Sequence, residues 1–411
     1  MGEAHDSGAR RRPFWLRRPR ALAIAVVGAL AAIAVGSLLL GSDDAPVTDA
    51  FYEQPDPLPD GPPGTILRSQ AISRPPDGSK AFRILYLSRS ARTGRPAALS
   101  ALLFVPIRPA PATGRNVVAL THGTVGVAQN CAVSSGRSFF AHVDGLARFM
   151  RAGYAVVLPD YEGLGTRGPH PYLVGAATAH ATLDAVRATR LFKPAEASAR
   201  FIAWGVGQGG HAALFTGEEA DTYAPELELA GVAAGAPATD LRRLLRANND
   251  TTFGRVLAAY TLATWSHLYP QLRLDRMLSR PARDVVAQVA TLCLPADHDS
   301  LKAALGNQTV QLTYSSRQPW NTQPWKRLLE RNSPGTTAIP VPVIITQGAD
   351  DRVVRPALTA RFVRRLCRLG STVQYRPSRG VAHVDLGEKT APYVSKWIVG
   401  RFAGRSARSS C

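Results

Sequence analysis

The chain has 411 residues, 45% of them hydrophobic and 19% charged, which suits one large domain with an insertion or two domains. This composition excludes a disordered protein, and four cysteines are too few for a disulfide-dense miniature scaffold. The net charge of +19 is typical of an arginine-rich solvated surface, or of attraction to anionic lipid. We expect no nucleic-acid partner, because no dense Lys/Arg run lies outside the N-terminus and no basic strand carries interleaved aromatics.

The N-terminus predicts a targeting segment. A basic n-region over residues 1–20, with six arginines, precedes an apolar run from Ala21 to Gly41 that is close in length to one bilayer core. A cleaved signal peptide usually has a shorter apolar core, and no clean A-x-A cleavage site follows Leu40. We therefore favour an uncleaved signal anchor over 21–41, with a cleaved signal peptide as the alternative. In both cases the folded part lies outside the cytoplasm, where disulfides persist.

Residues 42–80 are rich in Pro, Asp and Gly and predict a linker or an extended wrap. Helical periodicity over 140–151 and 176–191 then alternates with apolar runs that predict strands, at 82–87, 101–105, 117–121, 155–159, 201–205 and 230–234. This alternation indicates an α/β fold with a mostly parallel, doubly wound sheet covered by helices on both faces.

The pattern changes between residues 239 and 335, where the sequence is mostly helical and rich in aromatic residues. We interpret this segment as a helical cap inserted into a core formed by 81–238 and 336–411. The alternation then resumes with a strand at 341–347, a helix at 356–369, a strand at 372–376 and a closing helix at 391–402. Pro356 suits the first position of its helix, since its missing N–H would be unpaired there.

The most informative segment is FIAWGVGQGG, residues 201–210. An apolar strand is followed by a tight glycine-rich turn and by the start of a helix, which is the setting of the nucleophile elbow G-x-S-x-G of α/β-hydrolases. Gly207 stands at the position of the nucleophilic serine in this motif.

Candidates for the acid and the base of a catalytic triad follow in the chain order Ser, Asp/Glu, His of this fold. Asp350 and Asp351 come just after the strand at 341–347, and we prefer Asp351 because it lies three residues after Gly348, an offset common for the acid. The base is His383, which alone among the histidines follows the last strand and precedes the last helix.

The oxyanion hole of this fold uses the backbone N–H after the nucleophile and a second N–H from an early loop. These two donors would be Gln208 and, in the THGTVG loop after the strand at 117–121, Thr124.

Several segments together resemble the secretory lipase family, the lipase A-type α/β-hydrolases. They are THGT…NCA (121–132), PDYEGLGT…HPYLVG (159–175), WGxxQGG (204–210), PVIITQGADDxVVxPALT (342–359) and GVAH (380–383). The resemblance covers residues 50–411 and implies a triacylglycerol lipase or carboxylesterase with a helical lid over an acyl tunnel. It also implies disulfides between Cys131 and Cys293 and between Cys367 and Cys411, whereas the cysteine count alone allows three pairings. We expect no cofactor and no metal.

The sequence departs from the family at Gly207, where the family has its serine. Because glycine has no side-chain atom that can attack a carbonyl, three hypotheses remain. In the first, hydrolysis is lost or very weak while acyl or lipid binding is retained. In the second, His383 and Asp351 activate a water for slow ester hydrolysis. In the third, the scaffold is a non-catalytic interaction module.

A fourth hypothesis, nucleotide binding, is excluded. Gly205, Gly207 and Gly210 fit the dinucleotide-binding pattern G-x-G-x-x-G between a strand and a helix. However, several strands precede the motif, and the acids some twenty positions later, Glu226 and Glu228, precede the next strand instead of ending it. We expect no nucleotide partner.

Overall fold

The computed structural model describes residues 1–2, 50–136, 143–294, 310–315 and 317–411. The chain divides into two units, Met1–Thr48 and Asp49–Cys411, and almost all of the first unit lies outside the described residues. The predicted anchor over 21–41 is therefore not described. No helix within the described ranges is long and apolar enough to cross a membrane.

The core of the second unit is a nine-stranded sheet of described residues with the order β1-β2-β3-β5-β4-β6-β7-β8-β9. Along this order, neighbouring strands from β1 to β5 are antiparallel. From β5 through β4 to β9, all neighbouring strands are parallel. The strands are β1 Ile66–Ala71, β2 Ser79–Arg89, β3 Pro96–Pro106, β4 Arg115–Thr121, β5 Ala155–Pro159, β6 Ala197–Val206, β7 Glu228–Gly235, β8 Val343–Gly348 and β9 Val373–Ser378.

Continuous apolar sequence explains the central strands, because a parallel sheet is covered on both faces. Strand β5, with the sequence AVVLP, is buried at every position. The helices among the described residues are α1 Leu146–Ala152, α2 Gly175–Leu191, α3 Gln208–Tyr223, α4 Leu241–Asn248, α5 Thr252–Leu268, α6 Arg280–Val289, α7 Trp325–Arg331, α8 Pro356–Arg368 and α9 Leu386–Phe402. Helices α2, α3 and α8 share one hydrophobic cluster with the sheet, and α1 and α9 share another. The structure therefore has the α/β-hydrolase architecture.

Helices α4 to α7 form an insertion between β7 and β8, within the range predicted for the cap. The insertion has its own hydrophobic cluster, in which Trp265 of α5 stacks on Trp325 of α7 with ring centroids 6.2 Å apart. The same cluster includes Val354 and Val381 from loops that follow β8 and β9. The insertion thus packs over the carboxyl ends of the parallel strands, where α/β folds place their sites.

Several elements differ from the sequence prediction. The helix predicted over 140–151 begins at Leu146, and residues 140–142 of that prediction lie outside the described residues. Strand β3 begins at Pro96, five residues before the predicted 101. Strand β1 lies within the segment interpreted as a linker, and it pairs with β2 as an edge strand with four of its six residues exposed. Its polar sequence ILRSQA gives no apolar run by which to recognise it. Helix α9 begins at Leu386, before the predicted Ala391, and accommodates Pro392 inside the helix.

Candidate active site

Strand β6 and helix α3 meet in a sharp turn at Gly207, which has φ 60° and ψ −115°. Residues with side chains rarely adopt this backbone conformation, and it persists only where surrounding contacts enforce it. Here the Gly207 N–H donates to the Gly235 carbonyl at 2.9 Å, and the Gly207 carbonyl accepts from the His211 N–H at 3.0 Å. The turn therefore has the geometry of a nucleophile elbow.

The glycines on either side of the turn are required by packing. A Cβ added to Gly205 would lie 2.2 Å from the Thr121 carbonyl oxygen, and one added to Gly209 would lie 1.9 Å from the same atom. Helix α3 therefore approaches the end of β4 as closely as two backbones allow.

Gly207 has a different environment from these two glycines. Among the described residues beyond its chain neighbours, a Cβ added to it would have only the imidazole of His383 within 4 Å, at 3.1 Å from Nε2 and 3.5 Å from Cε1. Packing does not exclude a small side chain here, and such a side chain would point at the histidine.

The carboxylate of Asp351 lies in the loop after β8 and is completely buried. Its Oδ1 accepts hydrogen bonds from the backbone N–H groups of Val353 and Val354, both at 2.8 Å. Its Oδ2 accepts from Gln347 Nε2 at 3.3 Å and lies 2.7 Å from His383 Nδ1. Asp350, the other candidate acid, is exposed.

His383 lies in the loop between β9 and α9, with 16% of its side chain exposed. When its Nδ1–H donates to Asp351, a neutral ring presents the lone pair of Nε2 to Gly207. The structure thus brings Gly207, His383 and Asp351 together in the order of a catalytic triad, and this arrangement can hold or move a proton at Nε2.

The loop after β4 lies beside the elbow, since a Cβ on Gly123 would be 3.5 Å from the Val206 carbonyl oxygen. In this loop Thr124 is half-buried, and its hydroxyl is 2.9 Å from the Tyr172 hydroxyl. Gln208 is the first residue of α3, so the positive end of a helix faces the same region. The two predicted oxyanion donors therefore lie on neighbouring backbone segments.

Two buried histidines support this loop. His122 Nδ1 lies 2.7 Å from the Gly123 carbonyl oxygen. His170 Nδ1 lies 2.9 Å from the Glu162 carbonyl oxygen. Burial lowers the pKa of His122 to about 4 and that of His170 to about 3, so both are neutral near pH 7. Tyr161 stacks near both rings and donates to the His122 carbonyl at 3.1 Å. These side chains pack beneath the loop and carry no charge toward the elbow.

Disulfides join Cys131 to Cys293 and Cys367 to Cys411, the same two pairs that the resemblance implies. The first ties the segment after the Thr124 loop to the insertion. Gly126 packs against this disulfide, and the Leu294 N–H donates to the Val125 carbonyl at 2.7 Å. The insertion is therefore fixed to the proposed oxyanion loop by a covalent bond and by a backbone hydrogen bond.

Sequence reasoning missed two positioning residues. Gln347 is fully buried at the end of β8, and its Nε2 also donates to the Val354 carbonyl at 3.0 Å, which fixes the loop that carries Asp351. Tyr172 is buried and contacts Thr124. Both stand inside motifs that carry the resemblance, QGADD and HPYLVG, which was the only sequence signal for them.

Sequence comparisons match this chain to known lipases. The sequence profile described as "Secretory lipase" matches residues 139–410. Lipase A of Arthroderma benhamiae is 24% identical over 404 residues, covering 90% of this chain and 83% of that protein. A Mycobacterium tuberculosis protein named a probable inactive lipase is 25% identical over 378 residues, covering 88% of this chain and 83% of its own length.

Solved structures show the same fold. Candida antarctica lipase A in its closed state superposes with a TM-score of 0.73 at 18% identity, covering 89% of this chain and 88% of that chain. The rice cell wall degrading esterase LipA of Xanthomonas oryzae superposes with a TM-score of 0.66 at 21% identity, covering 84% of this chain and 98% of that chain. The chain therefore has the fold of known α/β-hydrolases.

Proposed function

Because this chain belongs to the secretory lipase family, we propose that it binds an acyl lipid at an esterase site whose nucleophile is missing. The observation that carries the proposal is Gly207 itself. The elbow, the His383–Asp351 pair and the loop of Thr124 are arranged for acyl transfer, but only a hydrogen atom points from residue 207 toward His383. Hydrolysis is then lost or very weak.

The expected loss of rate is large. Removing the serine of a well-studied hydrolase lowers turnover by about 10⁶, which corresponds to roughly 8 kcal/mol of barrier. Nearby hydroxyls do not replace it. Thr121 Oγ1 is buried and donates to the Gly209 carbonyl at 2.8 Å, and the buried Ser134 hydroxyl donates to Asp160. Both are held in structural hydrogen bonds away from Gly207.

An acyl ligand is supported by the apolar surroundings of the site. Val206 beside the elbow and Leu386 after His383 pack with the hydrophobic cluster of the insertion. Ligand sites in proteins are lined mainly by apolar side chains, with a few polar groups that orient the ligand. A relative that is 25% identical to this chain is named a probable inactive lipase, and this name supports a loss of hydrolysis.

The proposed location is outside the cytoplasm. Both disulfides suit an oxidising compartment, as does membership of the secretory lipase family. We propose further that residues 21–41 anchor the protein to the membrane, with a cleaved signal peptide as the alternative.

The first test uses an introduced thiol. All four cysteines form disulfides, so Gly207→Cys would provide the only free thiol in the chain. We expect trioleoylglycerol or oleate in detergent micelles to slow the modification of this thiol by iodoacetamide severalfold relative to micelles alone. The unmodified protein should show no labelling by a serine-directed fluorophosphonate.

The control for the thiol experiment is a cysteine at Gly153, which lies in a turn where a Cβ would meet nothing within 4 Å. Its modification rate should not respond to lipid. Equal rates with and without lipid at residue 207 would contradict lipid binding and would favour an interaction module on the same fold. Strong fluorophosphonate labelling of the unmodified protein would contradict the assignment of the elbow.

A second candidate function is slow ester hydrolysis by an activated water. It is favoured by the space beside His383, because the Cβ position of Gly207 lies at hydrogen-bonding distance from Nε2. General-base catalysis by a positioned histidine contributes about 10²–10⁴-fold. We expect any slow hydrolysis of a p-nitrophenyl ester by the unmodified protein to fall by at least about 10²-fold in His383→Ala. A rate unchanged by this substitution would exclude the water mechanism.

A further inference from the structure

A small open cavity of about 120 Å³ lies where α4, the first helix of the insertion, meets α8 of the core. Thr239 and Asp240, which precede α4, line one side. Arg361, Arg365 and Arg368 line the other, and their spacing places them on one face of α8. The cavity therefore collects three guanidinium groups at the seam between the insertion and the core.

These positive charges are only partly used by the protein. The side chains of Arg361 and Arg368 are exposed and have neither an ion pair nor a hydrogen bond to any residue in the described part of the chain. Arg365 Nη2 donates to the carbonyl oxygens of Thr239 and Pro334, at 3.3 and 3.2 Å. Arg365 thus holds both ends of the insertion, while the guanidinium groups of the other two arginines are unpaired among the described residues and can bind an anion.

Two acids lie close enough to oppose an anion, and neither cancels this charge. Asp240 is engaged by Arg243, whose backbone N–H donates to Oδ1 at 3.0 Å and whose Nε lies 3.3 Å from Oδ2. Glu218 interacts with Arg365 and accepts a hydrogen bond from the Gly335 N–H. Burial raises the pKa of Glu218 to about 7, so it is partly protonated near neutral pH.

A buried hydroxyl supplies an independent indication of a ligand. Thr239 is 2% exposed, and within the described ranges its Oγ1 has no hydrogen-bond partner. Leaving a buried hydroxyl unpaired is unfavourable by about 1–3 kcal/mol. Its Oγ1 is closed off from solvent, but Thr239 is among the residues that line the cavity, so a rotation of this side chain would let an acceptor oxygen bound there complete its hydrogen bonding.

We propose that this cavity binds a phosphate group, held by Arg361 and Arg368 and accepting a hydrogen bond from the Thr239 hydroxyl. Planar guanidinium groups pair with phosphate oxygens in a bidentate way, and a phosphate-sized anion fits a volume of this order. Bound phosphate would bridge α4 to α8 and so stabilise the junction between insertion and core. The proposal does not depend on the chemistry at Gly207.

The test is calorimetric titration of the full chain with sodium phosphate at neutral pH, with sodium chloride keeping the ionic strength constant. We expect saturable binding with one site per chain. Arg361→Gln with Arg368→Gln should weaken it at least about tenfold, since each charge-assisted hydrogen bond that is lost can account for such a factor. The matched control is Arg148→Gln with Arg151→Gln, which removes two exposed arginines from α1 and should leave phosphate affinity unchanged.

Thr239→Val separates ligand binding from simple burial. The substitution keeps the shape of the side chain and removes the hydroxyl. If Thr239 only filled space in the fold, phosphate affinity would not change. We expect about tenfold weaker binding. Absence of saturable binding in the unmodified protein, or equal affinity in the double arginine variant, would overturn the proposal.

The source of the phosphate is decided by a second arm of the experiment. The protein is sedimented with phosphatidylcholine vesicles that contain phosphatidic acid. Binding to these vesicles that is lost in the Arg361/Arg368 variant and competed by sodium phosphate would assign a lipid headgroup. Binding of inorganic phosphate without such sedimentation would assign a soluble anion. Both outcomes support a phosphate site, whereas vesicle binding that is unaffected by the arginine substitutions contradicts a headgroup site here.

Discussion

The substitution Gly207→Ser is expected to raise hydrolysis of a short p-nitrophenyl ester by at least about 10³-fold over the unmodified protein. The serine hydroxyl would project toward His383 Nε2, which lies 3.1 Å from the Cβ position, and the buried carboxylate of Asp351 already orients the ring. Steady-state rates measured beside the unmodified protein provide the check, and the variant should also be labelled by a fluorophosphonate.

Gly207→Ala is the matched control for this gain of activity. It introduces the same Cβ and the same backbone strain without a nucleophilic oxygen, so its hydrolysis should remain at the level of the unmodified protein. The additional variant Gly207→Ser with His383→Ala should lose most of the gain, because the base that activates the serine is absent. If Gly207→Ser were no more active than Gly207→Ala while both remained folded, the proposed assignment of the elbow would be wrong.

Both substitutions at residue 207 should also lower the free energy of unfolding. At φ 60° and ψ −115° a residue with a Cβ is strained by about 1–3 kcal/mol, whereas glycine is not. The glycine therefore relaxes a turn that a catalytic serine would hold under strain. This follows the general trade-off between stability and activity at functional sites.

The second large effect is expected for Gly209→Ala, which should lower the free energy of unfolding by more than about 3 kcal/mol. Its Cβ would lie 1.9 Å from the Thr121 carbonyl oxygen, a backbone atom that cannot move without displacing β4. Either α3 or the end of β4 must shift, and the hydrogen bond from Thr121 Oγ1 to the Gly209 carbonyl would be lost. Urea unfolding followed by circular dichroism provides the measurement.

Gly400→Ala is a control in which the added Cβ should stabilise the protein instead of destabilising it. Gly400 lies inside α9, and the nearest atom to an added Cβ is 4.0 Å away, in the side chain of Arg405. Alanine there should raise the free energy of unfolding by about 0.5–1 kcal/mol, since glycine is unfavourable within a helix. A Gly209→Ala variant as stable as the unmodified protein would show that the elbow does not need close contact between α3 and β4.

Much of the fold could be predicted because the parallel strands are continuous apolar runs. The predicted strand at 155–159 coincides with β5, and the helix predicted at 176–191 differs from α2 by one residue. Strand β1 could not be predicted in this way, since an edge strand with exposed side chains needs no apolar pattern and its pairing with β2 depends on distant sequence. The sequence places Gly209 in the elbow motif, but only the structure shows that packing requires the absence of a Cβ there.

Residues that act through others were the hardest to predict in the candidate site. Chain order and loop position singled out Asp351 and His383, which lie 2.7 Å apart between Oδ2 and Nδ1. Gln347 could not be identified because a glutamine at the end of a buried strand has no periodic or spacing signal. Its importance lies in contacts made after folding, to Asp351 and to the Val354 carbonyl.

The surroundings of Gly207, in which the His383 ring faces the Cβ position, have an evolutionary consequence. Glycine codons that end in a pyrimidine become serine codons by a change of one base. Among the described residues beyond the chain neighbours, only His383 lies within 4 Å of the Cβ position, and its ring would have to move by only a few tenths of an ångström to accept the new side chain. A single base change therefore suffices to exchange glycine and serine at this position. Among closely related sequences, glycine and serine at this position are expected to alternate without accompanying changes in the glycines that pack against β4.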